Sequence, residues 1–162
     1  MNNIHKTAII YPGVKIGKNV TIGAYCIIGA PAEDKKNWNT ESEHSVVIGN
    51  NVIVTGHVTI DAGTVRNTII SDGSFIMKGC HIGHDVLIGH ECVMSPHTLI
   101  GGHSFIDSFT NMGMGSVVHQ RVVVPSGCMI GMNTTITKKS VLEPNGVYVG
   151  SPAKFIRWNR KK

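Results

Sequence analysis

Apolar residues recur at every sixth position along most of the chain. From Ile70 to Leu142, thirteen successive positions spaced six apart are all apolar, and the residue two places before each is small or β-branched. The same spacing runs from Ile4 to Ile28 and, in a shifted register, from Ile48 to Ile60. An α-helix repeats its apolar positions every three or four residues, and an ordinary strand alternates every two. A sustained period of six is typical of a parallel β-helix.

The period also predicts how the chain is organised. Glycine follows many of the apolar positions, where the backbone must turn a corner, and three corners close one coil of about eighteen residues. We therefore predict an all-β fold: a left-handed parallel β-helix of about seven coils over residues 1–150, the hand being that of hexapeptide β-helices. Loops interrupt it near 29–47 and 61–69, and a basic C-terminal tail occupies 151–162.

A prism this narrow has its interior filled by its own side chains. The four cysteines share the small inward phase and are expected to be reduced packing residues. A binding site must therefore lie outside, in a groove between neighbouring prisms or beside an inserted loop. Three flat, equivalent faces favour packing about a threefold axis, so we expect a homotrimer.

Charge and hydropathy narrow the partners. The net charge is +5, and five basic residues lie in the last nine positions: Lys154, Arg157, Arg160, Lys161 and Lys162. This tail could contact the phosphates of a nucleotide cofactor or an acidic carrier protein, or be an ordinary solvated terminus; it does not indicate nucleic-acid binding. No apolar run of eighteen residues and no signal peptide are found, so we expect no membrane span and a cytoplasmic protein.

Histidines are concentrated in one part of the chain. Eight of the nine lie between residues 44 and 119, and three occur within the stretch "HIGHDVLIGHE" at 81–91. Their phase relative to the inward positions places them on corners or outer faces, which excludes core histidines and leaves either a shared site or scattered surface residues. A general base is the favoured role, since imidazole titrates near neutrality. A zinc site of the γ-carbonic anhydrase type uses two histidines five apart, and no such pair exists here, so no metal is predicted.

Five segments carry a resemblance to a known family. "IHKTAI", "GAPAEDKK", "HIGHD", "GGHSFID" and "GMGSVVHQ" occur in order between about residues 4 and 136, and together they resemble the UDP-N-acetylglucosamine acyltransferases of lipid A biosynthesis. The resemblance implies a left-handed β-helical trimer with its active sites between subunits.

The resemblance also implies roles for individual residues. His84 would be the general base, Asp85 would orient it, and the backbone N–H of Gly102 would stabilise the oxyanion. Further positions match groove and loop residues that bind substrate: Asp34, Lys36, His81, His103, His119 and Gln120. Gly102 could instead be a simple corner glycine, and Asp34 and Lys36 could be solvated loop charges.

The sequence departs from the family pattern in several places. Asp61 stands where the family has a histidine, and Glu33 replaces a glutamine, which leaves the acceptor open. "GVYVGSPAKFIRWNRKK" follows the prism in place of the family's helical domain, and resembles the ends of small acetyltransferases that use acetyl-CoA. Lys154 and Arg157 are therefore expected to bind the donor. Met132 matches a position that gauges acyl length and favours a short chain, unless it is an ordinary outward methionine.

These features together predict an acyltransferase. It would move a short acyl group, acetyl above all, from acetyl-CoA or an acyl carrier protein thioester to a hydroxyl or amine of a nucleotide-linked sugar such as a UDP-N-acetylglucosamine derivative, with no bound cofactor. Three alternatives stay open: an acyl carrier protein-dependent O-acyltransferase of the lipid A type, a γ-carbonic anhydrase-like zinc protein, and a non-catalytic β-helical scaffold.

Overall fold

The computed structural model describes residues 1–36, 38, 40 and 42–159. The strands of the first half are β1 (Asn3–Ile4), β2 (Ile9–Ile10), β3 (Lys15–Ile16), β4 (Thr21–Ala24), β5 (Ile27–Ala30), β6 (Val46–Ile48), β7 (Ile53–Gly56), β8 (Thr59–Asp61), β9 (Thr68–Ile70), β10 (Phe75–Ile76) and β11 (His81–Ile82). Those of the second half are β12 (Leu87–Ile88), β13 (Val93–Met94), β14 (Leu99–Ile100), β15 (Phe105–Ile106), β16 (Asn111–Met112), β17 (Val117–Val118), β18 (Val123–Val124), β19 (Met129–Ile130), β20 (Thr135–Ile136), β21 (Gly146–Val149) and β22 (Lys154–Trp158).

Every third strand joins the same sheet, and the three sheets are the faces of a prism. Face A has the order β1-β4-β7-β10-β13-β16-β19-β21-β22, face B has β2-β5-β8-β11-β14-β17-β20, and face C has β18-β15-β12-β9-β6-β3. Neighbouring strands are parallel, except that β22 returns antiparallel to β21. The fold is the predicted left-handed parallel β-helix, and face B with its seven strands matches the expected number of coils.

The apolar residues that recur every six positions form the core of the prism. Inward residues such as Ile82, Ile88 and Ile100 are almost fully buried, and each such side chain contributes about 1.5–3 kcal/mol by leaving water. The small polar residues two places before these positions form hydrogen bonds to backbone groups at the corners. The Ser74 hydroxyl, for example, donates to the Gly89 carbonyl and accepts from the Cys92 N–H. All four cysteines are buried and free, as expected.

The pattern is weakest at the two ends of the prism. Ile4 is 42% exposed, and Leu142 belongs to no strand, because turns occupy residues 137–145, although its side chain packs partly buried against the core. The period resumes six residues later at Tyr148 on β21, which is fully buried and whose hydroxyl is held by the backbone of Glu143.

Two loops interrupt the coils, at 31–45 and 62–67, close to the predicted interruptions. In the expected basic tail, residues 154–158 form strand β22, while Arg160, Lys161 and Lys162 lie outside the described residues. None of the elements in the described ranges is a helix long and apolar enough to cross a bilayer.

Candidate active site

The predicted catalytic residues lie on the edge where face B turns into face C. This edge, called the B–C corner below, is formed by the residues that follow successive face B strands: 83–86, 101–104 and 119–122. Backbone hydrogen bonds stack these turns, because the His103 N–H donates to the His84 carbonyl and the Arg121 N–H to the Gly102 carbonyl, both at 2.9 Å. Residues one coil apart along this edge are therefore direct neighbours.

His84 and Asp85 form a tightly coupled pair at this corner. The His84 Nδ1 atom lies 2.7 Å from Asp85 Oδ2, and the His84 side chain is 14% exposed while that of Asp85 is fully buried. Asp85 takes a left-handed backbone conformation, φ 60°, which turns its carboxylate inward beneath the imidazole. Its backbone N–H donates to the hydroxyl of Thr68, one of the small inward residues of the repeat.

The loop 62–67 wraps the Asp85 carboxylate. Its Oδ1 atom accepts the backbone N–H groups of Thr64, Val65 and Arg66, and its Oδ2 atom accepts the Thr64 hydroxyl as well as His84 Nδ1. Burial alone would raise the pKa of this carboxyl, but these hydrogen bonds outweigh it and hold the pKa well below its usual range. Asp85 is thus an anion, so His84 donates from Nδ1 and leaves Nε2 as a free acceptor.

His103 packs against the same carboxylate without bonding to it. Its ring meets that of His84 edge-on with centroids 4.8 Å apart, and its Nδ1 is 3.6 Å from Asp85 Oδ2, which exceeds a hydrogen bond. Desolvation lowers the pKa of His103, as do the charges of Arg121, His84 and Arg66, against the opposite effect of Asp85. His103 is therefore neutral at neutral pH and can donate or accept one hydrogen bond to a ligand.

Gly102 gives the His84 imidazole its open side. A Cβ atom on Gly102 would lie 2.7 Å from His84 Nε2, so only glycine leaves room for an attacking atom there. Among the described residues, the Gly102 N–H donates to no acceptor. A free N–H beside the free nitrogen of a base is the arrangement that an oxyanion-forming reaction requires.

Asp61 is a site residue whose position the sequence marked only as a departure. It ends β8, one coil below His84, and is 5% exposed. Its Oδ2 atom lies 3.8 Å from His81 Nε2, while His81 Nδ1 is 2.8 Å from the Thr59 hydroxyl. The pKa of Asp61 is raised to about 6, chiefly by burial; the charge of His81 opposes this rise and that of Glu33 adds to it.

Two cavities lie along the B–C corner on either side of His84. The larger, about 900 Å³, opens between loop 31–45 and the prism on the N-terminal side, and Thr64 of the Asp85 cradle is among its walls. The second, about 690 Å³, lies on the C-terminal side and contains His119, Lys138, Lys139 and Lys154. One edge of the prism thus carries two cavities with a base between them.

The other residues predicted to bind substrate lie on either side of His84 along the prism. His119 donates from Nδ1 to the Gln120 carbonyl, so its Nε2 faces outward, and Lys154 shares its cavity. The Lys36 N–H donates to Asp34 Oδ1, in the loop whose Glu33 lies near Asp61.

Two predicted donor residues lie away from His84 within one chain. Met132 is on the corner between faces A and B and is 71% exposed. The Arg157 guanidinium donates to the Trp158 carbonyl on β22.

His84, Asp85 and His103 are the one group of described residues whose ligand atoms are close enough to hold a metal, within 4.8 Å of one another. The carboxylate is the weak member of this set, because both Asp85 oxygens already accept hydrogen bonds from loop 62–67 and from His84. A cation would have to displace them and the loop they order. The donor set therefore does not fit a metal site.

The cradle of Asp85 was not foreseen. Thr64, Val65 and Arg66 contribute backbone N–H groups, which any residue but proline supplies, so no side-chain signal marks them. The Arg66 side chain adds a hydrogen bond from Nε to the Asp85 carbonyl at 3.0 Å. The interruption of the repeat between Asp61 and Thr68 is the element that holds the Asp85 carboxylate.

Comparison with known proteins identifies relatives of this chain. A family model described as bacterial transferase hexapeptide (six repeats) matches residues 2–32 and 67–102. An acyl-[acyl-carrier-protein]–UDP-N-acetylglucosamine O-acyltransferase of Pseudomonas putida (strain GB-1) is 30% identical over 175 residues, covering 85% of this chain and 68% of the relative. That of Helicobacter pylori (strain Shi470) is 31% identical over 126 residues, covering 76% of this chain and 46% of the relative. The chain thus spans about half the length of the latter.

Solved structures of UDP-N-acetylglucosamine acyltransferases share this fold. The UDP-N-acetylglucosamine acyltransferase from Campylobacter jejuni superposes with a TM-score of 0.78 at 26% identity, over 97% of this chain and 75% of that one. The UDP-N-acetylglucosamine acyltransferase from Bacteroides fragilis superposes with a TM-score of 0.75 at 27% identity, over 98% of this chain and 61% of that one.

Proposed function

Because the chain belongs to the UDP-N-acetylglucosamine acyltransferase family of hexapeptide-repeat proteins, we propose that it transfers an acyl group from a thioester to a nucleotide-linked sugar. The observation that carries the proposal is the 2.7 Å contact between His84 Nδ1 and the buried Asp85 carboxylate. It leaves the other imidazole nitrogen as a base beside an N–H with no acceptor among the described residues. A surface histidine without function needs no such buried anion beneath it.

The reaction follows from these atoms. His84 Nε2 removes a proton from the attacking hydroxyl or amine, which bonds to the thioester carbonyl carbon. The carbonyl oxygen becomes an oxyanion that accepts the Gly102 N–H. The carbon–sulfur bond then breaks, and the proton on His84 passes to the departing thiolate. Asp85 stabilises the imidazolium between these two steps and stays ionised throughout.

We assign the sugar nucleotide to the N-terminal side of His84. The relatives named above act on UDP-N-acetylglucosamine, and a UDP-linked sugar of that kind is the proposed acceptor here. The larger cavity can hold a molecule of this size, with Asp34 and Lys36 of the adjacent loop toward the nucleotide. His81 and His103 then line the path from this cavity to His84.

We assign the acyl donor to the C-terminal side. Lys138, Lys139 and Lys154 converge on the second cavity together with His119, and three ammonium groups suit the phosphates of acetyl-CoA. Gln120 lies between this cavity and Gly102, and Arg157 adds charge on β22. The relatives are named for acyl carrier protein, which is the alternative donor.

We propose a homotrimer in which neighbouring copies complete the site. Face C carries an uninterrupted outward ladder of apolar residues: Val47, Ile69, Leu87, Phe105 and Val123. All are at least partly exposed in the single chain, and burying them against a second copy would be favourable. Met132 lies on another corner, so it would approach an acyl chain only from a neighbouring copy, where its bulk favours a short one. We also propose a cytoplasmic location, where a CoA or carrier-protein thioester and a nucleotide-linked sugar would both be at hand.

One assay tests this proposal. The protein is incubated with acetyl-CoA or acylated carrier protein, each against a panel of UDP- and dTDP-linked sugars, and thiol release is followed together with the mass of the sugar. A thiol signal matched by one acyl mass on a sugar supports the proposal, and a faster reaction with acetyl-CoA supports the donor assignment. Absence of transfer with both donors across the panel would overturn it, and tight binding without turnover would favour a scaffold.

A further inference from the structure

Asp61 is a buried carboxylate with an unused acceptor. Its Oδ2 atom is shielded from solvent and has no hydrogen-bond partner among the described residues. A buried ionised group without a partner is costly, so its retention beside the catalytic corner needs an explanation. Nothing in the proposed acyl transfer uses it.

The surroundings of Asp61 are negative. Glu33, in the loop beside Asp61, lies close enough for the charge of its side chain to act on the Asp61 carboxylate. Within the described part of the chain, neither carboxylate has an ion pair with a lysine or an arginine. Burial raises the pKa of Asp61 to about 6, so near neutral pH the group is mostly ionised and lacks a strong countercharge.

His81 does not satisfy Asp61 by itself. Its Nε2 atom is 3.8 Å from Oδ2, too far for a hydrogen bond, and its Nδ1 is held by the Thr59 hydroxyl. A nitrogen of a ligand could bond to the carboxylate through Oδ1, the oxygen that is not fully shielded from solvent, and lie beside His81 Nε2. A group with several N–H donors and a positive charge would satisfy the carboxylate and bond to the imidazole at once.

We infer that Asp61 binds an ammonium group of the acceptor, so that the substrate is a nucleotide-linked amino sugar and the product an amide. The inference rests on the proposed function and deepens it by choosing between the two nucleophiles left open, a hydroxyl and an amine. The position fits, because Asp61 ends β8, which pairs with β11 directly before His84 in the next coil.

The chemistry balances without a further reactant. The ammonium loses one proton to solvent as it becomes an amine, and the amine nitrogen attacks the thioester carbonyl carbon. His84 takes a second proton from the nitrogen and gives it to the sulfur as the carbon–sulfur bond breaks. The products are an amide, a free thiol and one proton. Asp61 is a specificity residue in this scheme, since it holds the ammonium form at the site and takes no part in bond making.

The test compares matched acceptors. UDP-sugars that carry a free primary amine at one ring carbon are paired with analogues that carry a hydroxyl there, and kcat/KM is measured for each pair with wild type and Asp61→Asn. The ratio of amine to hydroxyl should exceed ten in the wild type. It should fall by about ten- to a hundredfold in Asp61→Asn, which loses the charge and keeps the shape.

Two further variants separate charge from structure. Glu33→Gln, at an exposed position, should lower the same ratio by a smaller factor, because it removes only the neighbouring charge. Asp107→Asn removes one carboxylate at a different corner and should leave the ratio unchanged. Circular dichroism shows whether each variant is folded.

The outcomes distinguish this inference from the proposed function. Transfer to the hydroxyl analogues at equal or higher kcat/KM, or an unchanged ratio in folded Asp61→Asn, overturns the inference and leaves acyl transfer standing. Absence of transfer to either kind of acceptor with both donors overturns the proposed function and the inference with it.

Discussion

His84 Nδ1 lies 2.7 Å from Oδ2 of the fully buried Asp85 carboxylate, and this contact determines which nitrogen of the imidazole carries the proton. Asp85 accepts five hydrogen bonds, four of them from loop 62–67, so it has no proton to offer. His84 must donate to it and present an unprotonated Nε2 to the groove.

Asp85→Asn should reverse that arrangement. If the amide oxygen takes the place of Oδ1 and keeps the three backbone N–H groups, its NH₂ group faces His84 Nδ1 and forces the proton onto Nε2. The base is then blocked, and kcat/KM should fall by about 10²- to 10⁴-fold. Steady-state acyl transfer measures this, with Asp72→Asn at another corner as the control. Turnover within threefold of wild type would show that the tautomer does not matter.

Gly102→Ala should abolish turnover while the protein stays folded. Its backbone is not in the left-handed region, so alanine costs little there, but the new Cβ would lie 2.7 Å from His84 Nε2. The imidazole cannot move aside without lengthening its bond to Asp85. We expect a loss of at least about 10²-fold in kcat and a thermal midpoint close to wild type. A folded variant with ordinary kcat would mean that Gly102 is only a corner glycine.

Asp61 should make the stability depend on pH. Its folded-state pKa of about 6 exceeds the reference value of 3.8, so the folded protein holds this proton more tightly than the unfolded chain. The free energy of unfolding should therefore fall as the pH rises from about 4 to about 6, by up to about 3 kcal/mol.

Asp61→Asn should remove this fall, because it deletes the titrating carboxyl. The other groups that face position 61 remain in the variant: His81, Glu33 and His84. Urea unfolding at pH 4, 5, 6 and 7 measures it. Parallel curves for wild type and variant would contradict the assigned burial cost.

The period of six predicted nearly the whole architecture, because in a β-helix the side-chain phase and the coil geometry are one constraint. Ile82 and Ile100 stack in adjacent coils since each is eighteen residues from its neighbour on the same face. No strand forms at Leu142, where turns precede β21, although the side chain still packs against the core. A local departure of this kind leaves the apolar phase intact and so gives no signal.

The site was predictable only in part. Corner residues such as His84 and Gly102 follow from phase and motif, and the structure brings them together. Loop 62–67 acts through backbone N–H groups, which leave no trace in side-chain identity. Glu33 acts on the pKa of Asp61 from 28 positions away through a loop, and the six-residue repeat gives no signal for such a long-range effect. For Met132 the single chain is not enough, because its proposed role depends on a neighbouring copy and cannot be tested by a distance within one chain.

The most direct test of the account is the rate of acyl transfer by His84→Ala beside His90→Ala, an exposed histidine on the next corner. With saturating acetyl-CoA and the best acceptor, His84→Ala should lose about 10²- to 10⁴-fold in kcat/KM with an unchanged thermal midpoint, while His90→Ala keeps wild-type turnover. If folded His84→Ala transfers acyl groups at the wild-type rate, the pair of His84 and Asp85 is not the catalytic base.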